Sequence, residues 1–414
     1  MELLVVPKPL FDSEMNVRGY YFSYQYGNAL IVGGMPFRTD GSMHSPLLNL
    51  VGKVGLEALT MGNIIFVPIT PILIMTELQT TCEPEEYGRI VLLIDSDEKL
   101  DEAMIDRLKK FRAMGFKVGF KGVTNATLGN LSGVLPLTDY ILAVGDKEKM
   151  QKMARTLRPM KHIKIVATGL ETAKAHDDMK SIGVHLFDGN FYKIPTSKDS
   201  SISPMKINFI QMLNAINSDD FELEDFTKVV RQDASLQIQF MRLVNTSHDF
   251  QSEIKSLQQA AAILGQTEIK KWATTAVAAS MNSDKPSEIT RLSMLRARFC
   301  ENLAVMFEQG MNKDDLFLTG LFSIIDVALD MPIEQALGMV IIAPRIKDAL
   351  INETGDIYEV LDFVKIYEMG DWHGVSRIAL LRNFKIDQIH TAYVSAVTWY
   401  SELIQEGMGQ AIEE

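Results

Sequence analysis

The first half of this chain alternates short apolar runs with segments of helical period, and this alternation constrains the fold more than any other feature. Eight runs rich in branched and aromatic residues are predicted to be β-strands. They are Leu3–Val6, Gly19–Tyr24, Ile64–Ile69, Ile90–Asp95, Lys117–Phe120, Tyr140–Val144, Ile163–Ala167 and His185–Asp188. Strands that alternate with helices form parallel βα units, and eight strands favour a closed, TIM-like (β/α) barrel over a doubly wound sheet.

Helical segments fill the spaces between these strands. They are predicted over Pro46–Met61, Glu98–Met114, Lys147–Leu157 and Glu171–Ile182. The first of them has Ser45 as its N-cap and Pro46 at the first helical position, where the missing N–H of proline is not needed. The aromatic run GYYFSYQY suits an edge strand equally well, so the place of the second strand is left open.

The second half of the chain has a 3.6-residue period and almost no strand signal, which predicts an all-helical domain. Ser256 and Thr267 are predicted to cap two of its helices. Trp272 is expected in the core of this domain, while Arg291, Arg296 and Arg298 are expected to be solvated or salt-bridged.

A change of composition separates the two halves. The stretch KIPTSKDSSISP is rich in serine, proline and lysine, as exposed domain boundaries are. We therefore predict a multidomain protein of the α/β and all-α classes. Its barrel domain covers residues 1–195, its linker residues 196–204, and its helical domain residues 205–407.

Composition narrows the range of partners and compartments. The chain has 414 residues and a formal net charge of -12, which disfavours nucleic acid and anionic membranes as partners. No run approaches the roughly 20 apolar residues that a transmembrane helix needs. The segment MELLVVPKPLFD lacks the basic region and the cleavage site of an export signal. A cytoplasmic location is therefore expected.

Ten segments, read in order, carry a resemblance to a known family. They are PKPLFD, VRGYYF, GLEALTMG, FVPIT, KKFRAMGFKVGF, GLET and FDGNFYKIP in the first half, and IKSLQQAAAILGQTEIKKWA, RLSMLRARFCENLA and IYEMGDW in the second. Together they resemble the bacterial EAL–HDOD signalling proteins, in which a cyclic di-GMP phosphodiesterase-type barrel precedes a helical HDOD module. The resemblance implies that the HDOD half binds partner proteins and that barrels pair in a homodimer.

The resemblance also implies where the catalytic residues of an EAL phosphodiesterase would stand. Such an enzyme cleaves its substrate with water activated by divalent cations, which require oxygen ligands. In this chain the glutamate that names the family falls at Tyr21, the arginine that contacts phosphate at Gln25, and the metal-binding asparagine at Pro68.

The remaining positions of that site are changed as well. The next glutamate falls at Leu93, the paired aspartates at Lys121 and Gly122, the following lysine and aspartate at Leu142 and Val144, another glutamate and lysine at Thr168 and Gly169, and a late glutamine at Asp188. Only Glu171 clearly matches. We therefore expect an inactive barrel without metal or cofactor, and a non-enzymatic signalling adaptor.

Two alternatives remain open. Asp95, Asp146, Glu171 and Asp188 each follow a predicted strand, where they could form a displaced metal site, although Asp146 and Glu171 are also placed to cap helices. The barrel could instead be an inactive receptor for cyclic di-GMP, but the loss of the phosphate-binding arginine at Gln25 argues against such binding.

Three short motifs imitate catalytic signatures. The literal Glu57-Ala58-Leu59 lies within a predicted helix and not on a strand. The dipeptides His176-Asp177 and His248-Asp249 imitate the metal-binding doublet of HD-type phosphohydrolases, yet the further ligands of such a centre are missing from the pattern. We expect surface residues at Glu57 and His248, and no metal centre.

Overall fold

The computed structural model describes residues 3–30, 50–51, 54–75, 82–195, 202, 204–218, 256–282 and 284–404, with the isolated positions 222, 224, 227, 230 and 240. The pattern of contacts divides the chain into two units. The barrel unit comprises Met1–Ile194 together with Ile366–Thr391, and the helical unit comprises Pro195–Lys365 together with Ala392–Glu414. The predicted linker over 196–204 is mostly outside the described residues, and the predicted domain ranges remain predictions.

Eight strands close into a barrel in chain order, as the sequence predicted. They are β1 (Leu3–Phe11), β2 (Val17–Tyr26), β3 (Ile64–Pro68), β4 (Ile90–Asp95), β5 (Lys117–Val123), β6 (Tyr140–Ala143), β7 (Lys164–Ala167) and β8 (Leu186–Phe187). The strand β2 pairs with β1 on one side and with β3 on the other, so the edge-strand alternative is wrong.

The first strand departs from the all-parallel barrel that the sequence suggested. It runs antiparallel to both β2 and β8, whereas the pairs from β2–β3 to β7–β8 are parallel. The cause is the short connection after Phe11, which leaves no room for a crossover helix. Within this turn the Asp12 carboxylate accepts hydrogen bonds from the backbone N–H groups of Glu14 and Asn16, and from Arg18 Nε at 2.7 Å.

Four helices of the barrel unit lie within predicted segments, one of them with the predicted bounds, and the helix at Pro71–Met75 was not predicted. The helices are α1 (Leu56–Thr60), α2 (Pro71–Met75), α3 (Glu102–Ala113), α4 (Lys147–Leu157) and α5 (Ala173–Ser181), with 3₁₀ turns at Pro84–Arg89, Thr127–Leu131, Leu135–Leu137 and Phe191–Lys193. Asp101, Asp146 and Thr172 cap three of them through their side chains. The predicted cap at Ser45 and Pro46 lies outside the described residues.

A contiguous apolar cluster fills the lumen of the barrel. Its buried members come from six strands around the barrel, which only the lumen can bring together. They are Leu10, Phe66, Val91, Leu93, Tyr140, Leu142, Val166 and Leu186, with Tyr21 and Ile64 packed against them. The lumen is therefore a packed core and not an open channel.

The helical unit consists of short and medium helices with a buried core. Those described are α6 (Pro204–Asn217), α7 (Leu257–Met281), α8 (Ser287–Leu303), α9 (Lys313–Phe322), α10 (Ile325–Leu329), α11 (Ile333–Gly338) and α12 (Pro344–Asn352), with a 3₁₀ turn at Gly310–Asn312. Ser256 caps α7 as predicted. The start predicted at Thr267 lies just after Gly265, whose positive φ of 78° breaks the helical geometry within α7.

The arginines of α8 lie within the helical unit and have polar partners. Arg291 is buried and pairs with the buried Glu288 at 2.8 Å, so it is salt-bridged and not solvated, one of the two predicted states. Arg296 is also buried and donates to Ser323 Oγ, while Arg298 pairs with Glu301. These polar groups are inside because α9 packs closely against α8, where a Cβ at Gly320 would meet the backbone of this helix at 2.5 Å. Trp272 is buried as predicted, 5.0 Å from the ring of Phe240.

Three further helices follow α12. They are α13 (Asp356–Met369), α14 (Trp372–Leu381) and α15 (Ile386–Leu403). The unit boundary falls within α13 and α15, and the stretch between, Ile366–Thr391, belongs to the barrel unit. We call this stretch the clasp. In the described ranges, no helix combines the length and the hydropathy that a bilayer crossing requires.

The clasp satisfies the open edge of β1. This strand meets β8 only at Phe11, so the N–H and C=O groups of its earlier residues lack a neighbouring strand on that side. The buried Tyr367 hydroxyl donates to Val5 O at 3.0 Å and accepts from Val5 N at 3.1 Å. Nδ1 of His390 donates to Leu3 O at 2.6 Å, since a carbonyl can only accept.

The clasp also holds β2 and the chain after it. Trp372 Nε1 donates to Ser23 Oγ at 3.1 Å, and its ring packs edge-on against Tyr367. The Ser376 hydroxyl accepts from Ala29 N at 2.8 Å. Residues of the clasp thus supply the hydrogen bonds and packing contacts that an adjacent strand and helix would otherwise give to the first two strands.

Replacing Tyr367 with phenylalanine should destabilise the protein. The change removes one hydroxyl and leaves the buried N–H and C=O of Val5 unsatisfied, which costs about 1–3 kcal/mol. Chemical denaturation of Tyr367→Phe would measure the loss. As a control, Tyr87→Phe keeps the ring that stacks on Phe116 at 4.3 Å and should change the free energy of unfolding by less than about 0.5 kcal/mol. Equal effects of the two variants would contradict the proposed role of the clasp.

Candidate functional site

The candidate site is the end of the barrel where the parallel strands finish, because catalytic and binding groups of such barrels gather there. The sequence placed its degenerate positions at these strand ends. Two of them, Leu93 and Leu142, belong to the apolar cluster of the lumen and are 0% and 3% exposed. Where the EAL pattern would put a glutamate and a lysine, this barrel therefore has close-packed hydrocarbon.

The fifth strand brings a cation to the centre of the site. Lys121 lies opposite Asp95 in the β4–β5 register, and its Nζ is 3.7 Å from Asp95 Oδ2. Gly122 follows in a left-handed conformation with φ of 68°, at the register shift between β5 and β6. The Ser96 hydroxyl donates to Gly122 O at 3.0 Å and fixes this bulge. The positions of the paired aspartates thus carry a positive charge and no carboxylate.

Asp188 is a half-buried carboxylate just after β8. Burial raises the pKa of Asp188, and the neighbouring charge of Lys8 and a hydrogen bond from the Gly169 backbone oppose this rise. The carboxylate of Glu171 raises it further, whereas Lys193 lowers it. The environment therefore favours the protonated acid more than bulk water does.

Tyr21 stands beside Asp188 at the position of the family's glutamate. Burial raises the pKa of the Tyr21 hydroxyl, and the nearby charges of Asp188, Tyr24 and Asp95 add to the increase. Tyr21 also packs against the apolar cluster of the lumen and is paired with Lys8 in the β1–β2 register. At the position where the resemblance implies a metal-binding glutamate, the chain has a phenol.

The turn after β7 is held by close backbone packing. A Cβ at Gly189, with φ of 150°, would lie 2.0 Å from Leu170 O, so this position requires glycine. The Thr168 hydroxyl donates to Ala143 O at 3.2 Å. Glu171 accepts from Asn190 Nδ2 at 3.1 Å, and Thr172 caps α5, so the expectation that Glu171 caps a helix is wrong.

The other degenerate positions lie around the rim. Pro68 ends β3 opposite Leu93 and is half-buried. Gln25 lies in β2 opposite Leu4. Val144 is 57% exposed just after β6, where the family would have an aspartate. None of these side chains can ligate a hard cation through a carboxylate.

The four acids of the alternative metal set have separate local roles. Asp146 caps α4 by accepting from Lys149 N, and its other oxygen pairs with Lys149 Nζ. Asp95 pairs with Lys121, and its Oδ1 accepts from Asp97 N. Within the described parts of the chain, no three Asp, Glu, His or Cys side chains are grouped so that they could hold a metal ion. A metal site from Asp95, Asp146, Glu171 and Asp188 remains a prediction.

The imitation motifs lie where structural roles account for them. Glu57 is in α1, as predicted, and forms an ion pair with Arg89 at 3.2 Å. His176 is buried in α5, where its ring stacks on Phe191 at 4.7 Å. The dipeptide His248-Asp249 lies outside the described residues.

Lys8 is the site residue that sequence reasoning missed. It lies two positions before Leu10, so it faces the lumen as Leu10 does, and its charge acts on Asp188. The signal was present in the sequence as a single lysine within the apolar strand LLVVPKPLF. A charge inside such a strand calls for an opposite charge nearby, and Asp188 at the end of β8 is near enough for Lys8 to lower its pKa.

Comparison with known proteins places an HDOD domain at residues 203–331. YuxH of Bacillus subtilis is 25% identical over 415 aligned positions, covering 98% of this chain and 99% of YuxH. The protein of Vibrio cholerae named cyclic di-GMP phosphodiesterase CdgJ is 28% identical over 265 positions, covering 64% of this chain and 61% of CdgJ.

The barrel half is similar to solved EAL domains. An EAL domain protein from Listeria monocytogenes matches 46% of this chain and 87% of its own length, at 14% identity and a TM-score of 0.36. BlrP1 of Klebsiella pneumoniae, in a complex with manganese and cyclic di-GMP, matches 46% of this chain and 55% of its own length, at 15% identity and a TM-score of 0.34. The predicted HDOD domain is confirmed by the family match, and the eight-stranded barrel by its own strand order.

The raised pKa of Asp188 has a consequence for stability. Because the folded-state pKa lies above the ordinary value of 3.8, the stabilising contribution of its proton is full below about pH 3.8 and is lost as the pH rises through the folded pKa. Asp188→Asn, which keeps an acceptor oxygen, should therefore raise the free energy of unfolding at pH 7 relative to the unmutated protein. The gain should shrink near pH 4 in denaturation experiments.

Asp146→Asn is the matched control with the opposite sign. Hydrogen bonds from the backbone and side chain of Lys149 lower the pKa of Asp146, so its ionised form stabilises the folded state above the unfolded pKa. This variant should lower stability at pH 7, and its effect should fade on acidification. A destabilising Asp188→Asn at pH 7 would contradict the account of the buried acid.

Proposed function

We propose that this chain, a closed barrel followed in sequence by an HDOD domain, is a non-enzymatic cytoplasmic signalling adaptor of the bacterial cyclic di-GMP signalling group. In this proposal the HDOD domain docks partner proteins and the barrel has no phosphodiesterase activity. The observation that carries it is the packing of Leu93 and Leu142 into the apolar lumen, at two positions where the EAL pattern has polar residues.

The physical argument concerns the ligands of a divalent cation. Magnesium and manganese take oxygen ligands, and a catalytic pair requires several of them to converge. At this strand end Asp95 already pairs with Lys121, and Asp188 is half-buried with a raised pKa. The Lys121 ammonium would repel a divalent metal ion placed next to it. The side chains of Leu93 and Leu142 have no lone pair with which to bind a metal ion. These features disfavour the water activation that phosphodiester cleavage needs.

A receptor for cyclic di-GMP is the second candidate. Its support is the presence of three lysines at the mouth. The charges of Lys8 and Lys193 both lower the pKa of Asp188, and Lys121 lies on β5. Cations of this kind bind phosphate without any metal. Catalysis by the displaced acids Asp95, Asp146, Glu171 and Asp188 is the third candidate, and it gains weight only from the name of the relative CdgJ.

One titration separates these candidates. The full chain is mixed with cyclic di-GMP and Mn²⁺ or Mg²⁺, heat is measured by calorimetry, and products are measured by chromatography. We expect neither binding heat nor product, with an active EAL phosphodiesterase as the positive control. Binding without product would replace the adaptor proposal with the receptor. Product that disappears in Asp95→Ala or Asp188→Ala would replace it with catalysis.

Docking through the HDOD domain is tested at an exposed apolar pair. Val305 is 68% exposed and Met311 is 98% exposed in the turn before α9, within residues 203–331. We expect the full chain to capture a partner protein from its native cytoplasm. The double variant Val305→Ser/Met311→Ser should reduce the amount captured at least about tenfold, because it removes two side chains that the partner would bury.

Ile341→Ser is the control for this capture, because Ile341 is 50% exposed and lies outside the HDOD match. It should bind like the unmutated chain. Equal capture by all three proteins would count against docking at this turn.

A further inference from the structure

A cavity at the opposite end of the barrel has the features of an anion site. Its volume is about 520 Å³, which is the size of a small-molecule site. It is lined by residues from the end of α4, the start of β7 and the segment after α5, including Leu157, Ile163 and Ile165. These elements lie at the beginnings of the strands, so the cavity is separate from the mouth where the EAL pattern places its chemistry.

Three cations line this cavity without a counter-ion. They are Arg155, Arg158 and Lys161, and the lining contains no aspartate or glutamate. Among the described residues, no carboxylate forms an ion pair with any of the three. The chain as a whole carries a net charge of -12, so a local group of three unneutralised cations is contrary to its average.

A histidine and several apolar side chains form the rest of the cavity lining. His185 lines it, and its Nδ1 accepts from Ile165 N at 3.1 Å, so the neutral ring carries its proton on Nε2. Burial lowers the pKa of His185, and the charge of Lys164 lowers it further. The buried Leu157, Ile163 and Ile165 provide an apolar floor.

We infer that this cavity binds a small organic phosphate, with the phosphate held by Arg155, Arg158 and Lys161 and an apolar body lying on the floor. Guanidinium groups match phosphate oxygens in geometry. A dianionic phosphate offsets more of the three positive charges than a single carboxylate does. The net charge of -12 on the whole chain disfavours a nucleic acid strand, which requires an extended basic groove.

The ordinary role for these arginines is to offset the partial negative charge at the end of α4, since Arg155 is in its last turn and Arg158 is its C-cap residue. That role predicts an effect on stability and none on ligands. The inference does not depend on the function proposed for the HDOD domain or for the mouth of the barrel.

The test uses phenyl phosphate as the probe, titrated into the full chain and followed by calorimetry at low salt. Phenyl sulfate, which has the same shape and one charge less, is the comparison ligand. We expect saturable binding of phenyl phosphate, weaker binding of phenyl sulfate, and loss of affinity by about tenfold or more in Arg155→Gln/Arg158→Gln, as for removed charged hydrogen bonds.

Two more variants distinguish binding inside the cavity from unspecific attraction of the anion to positive charge. Lys152→Gln removes an exposed cation from the same helix outside the cavity lining, and its affinity should equal that of the unmutated chain. Ala154→Trp fills the cavity and keeps every cation, and it should abolish binding. No binding by the unmutated chain, or equal losses in Lys152→Gln and the double variant, would overturn the inference. A lower melting temperature of the double variant without any ligand binding would assign the arginines to the helix end alone.

Discussion

The hydrogen bonds between the clasp and the first strand are the constraint on which the barrel unit depends. Because β1 turns back at Asp12 to run antiparallel to β2, it meets β8 only at Phe11 and presents an open edge over most of its length. Tyr367 and His390 satisfy two residues of that edge from helices near the other end of the chain. A closed barrel made by strands alone would not need them. This one has its first strand secured by side chains.

The lumen of the barrel contains apolar side chains, whereas its mouth contains charged ones. The lumen is filled by eight apolar residues from six strands, and it includes two positions of the family's catalytic pattern. The mouth keeps charges: Asp95 pairs with Lys121, and the charge of Lys8 acts on the partly buried Asp188. Charges that satisfy one another leave little affinity for a further ion. The lumen is therefore apolar and packed, while charged side chains are confined to the mouth.

The sequence was sufficient for the strands because they are rich in branched and aromatic residues, and from β3 onward several are followed by helices with recognisable caps, such as Asp146. It was insufficient where the position of a helix or the burial of a side chain depends on contacts between residues far apart in the chain. Nothing near Trp372 indicated that α14 would pack on β2, since that contact joins residues 349 positions apart. For Arg291 the sequence left open whether the charge is solvated or salt-bridged, because the burial of its partner Glu288 cannot be read from the sequence. Individual side-chain roles at the site, such as that of Lys8, depend on strand pairing that periodicity alone does not specify.

The position of the clasp also affects how the chain is made. Val5 and Tyr367 are 362 residues apart. At about 5–20 residues per second, roughly 20 to 70 s pass between their appearance from a ribosome. During that interval the strand that begins the barrel has unsatisfied backbone groups, and such edges recruit other chains. The nascent N-terminal half is therefore a natural client for a holding chaperone, and a gene truncated before the clasp would yield a chain left in this vulnerable stage.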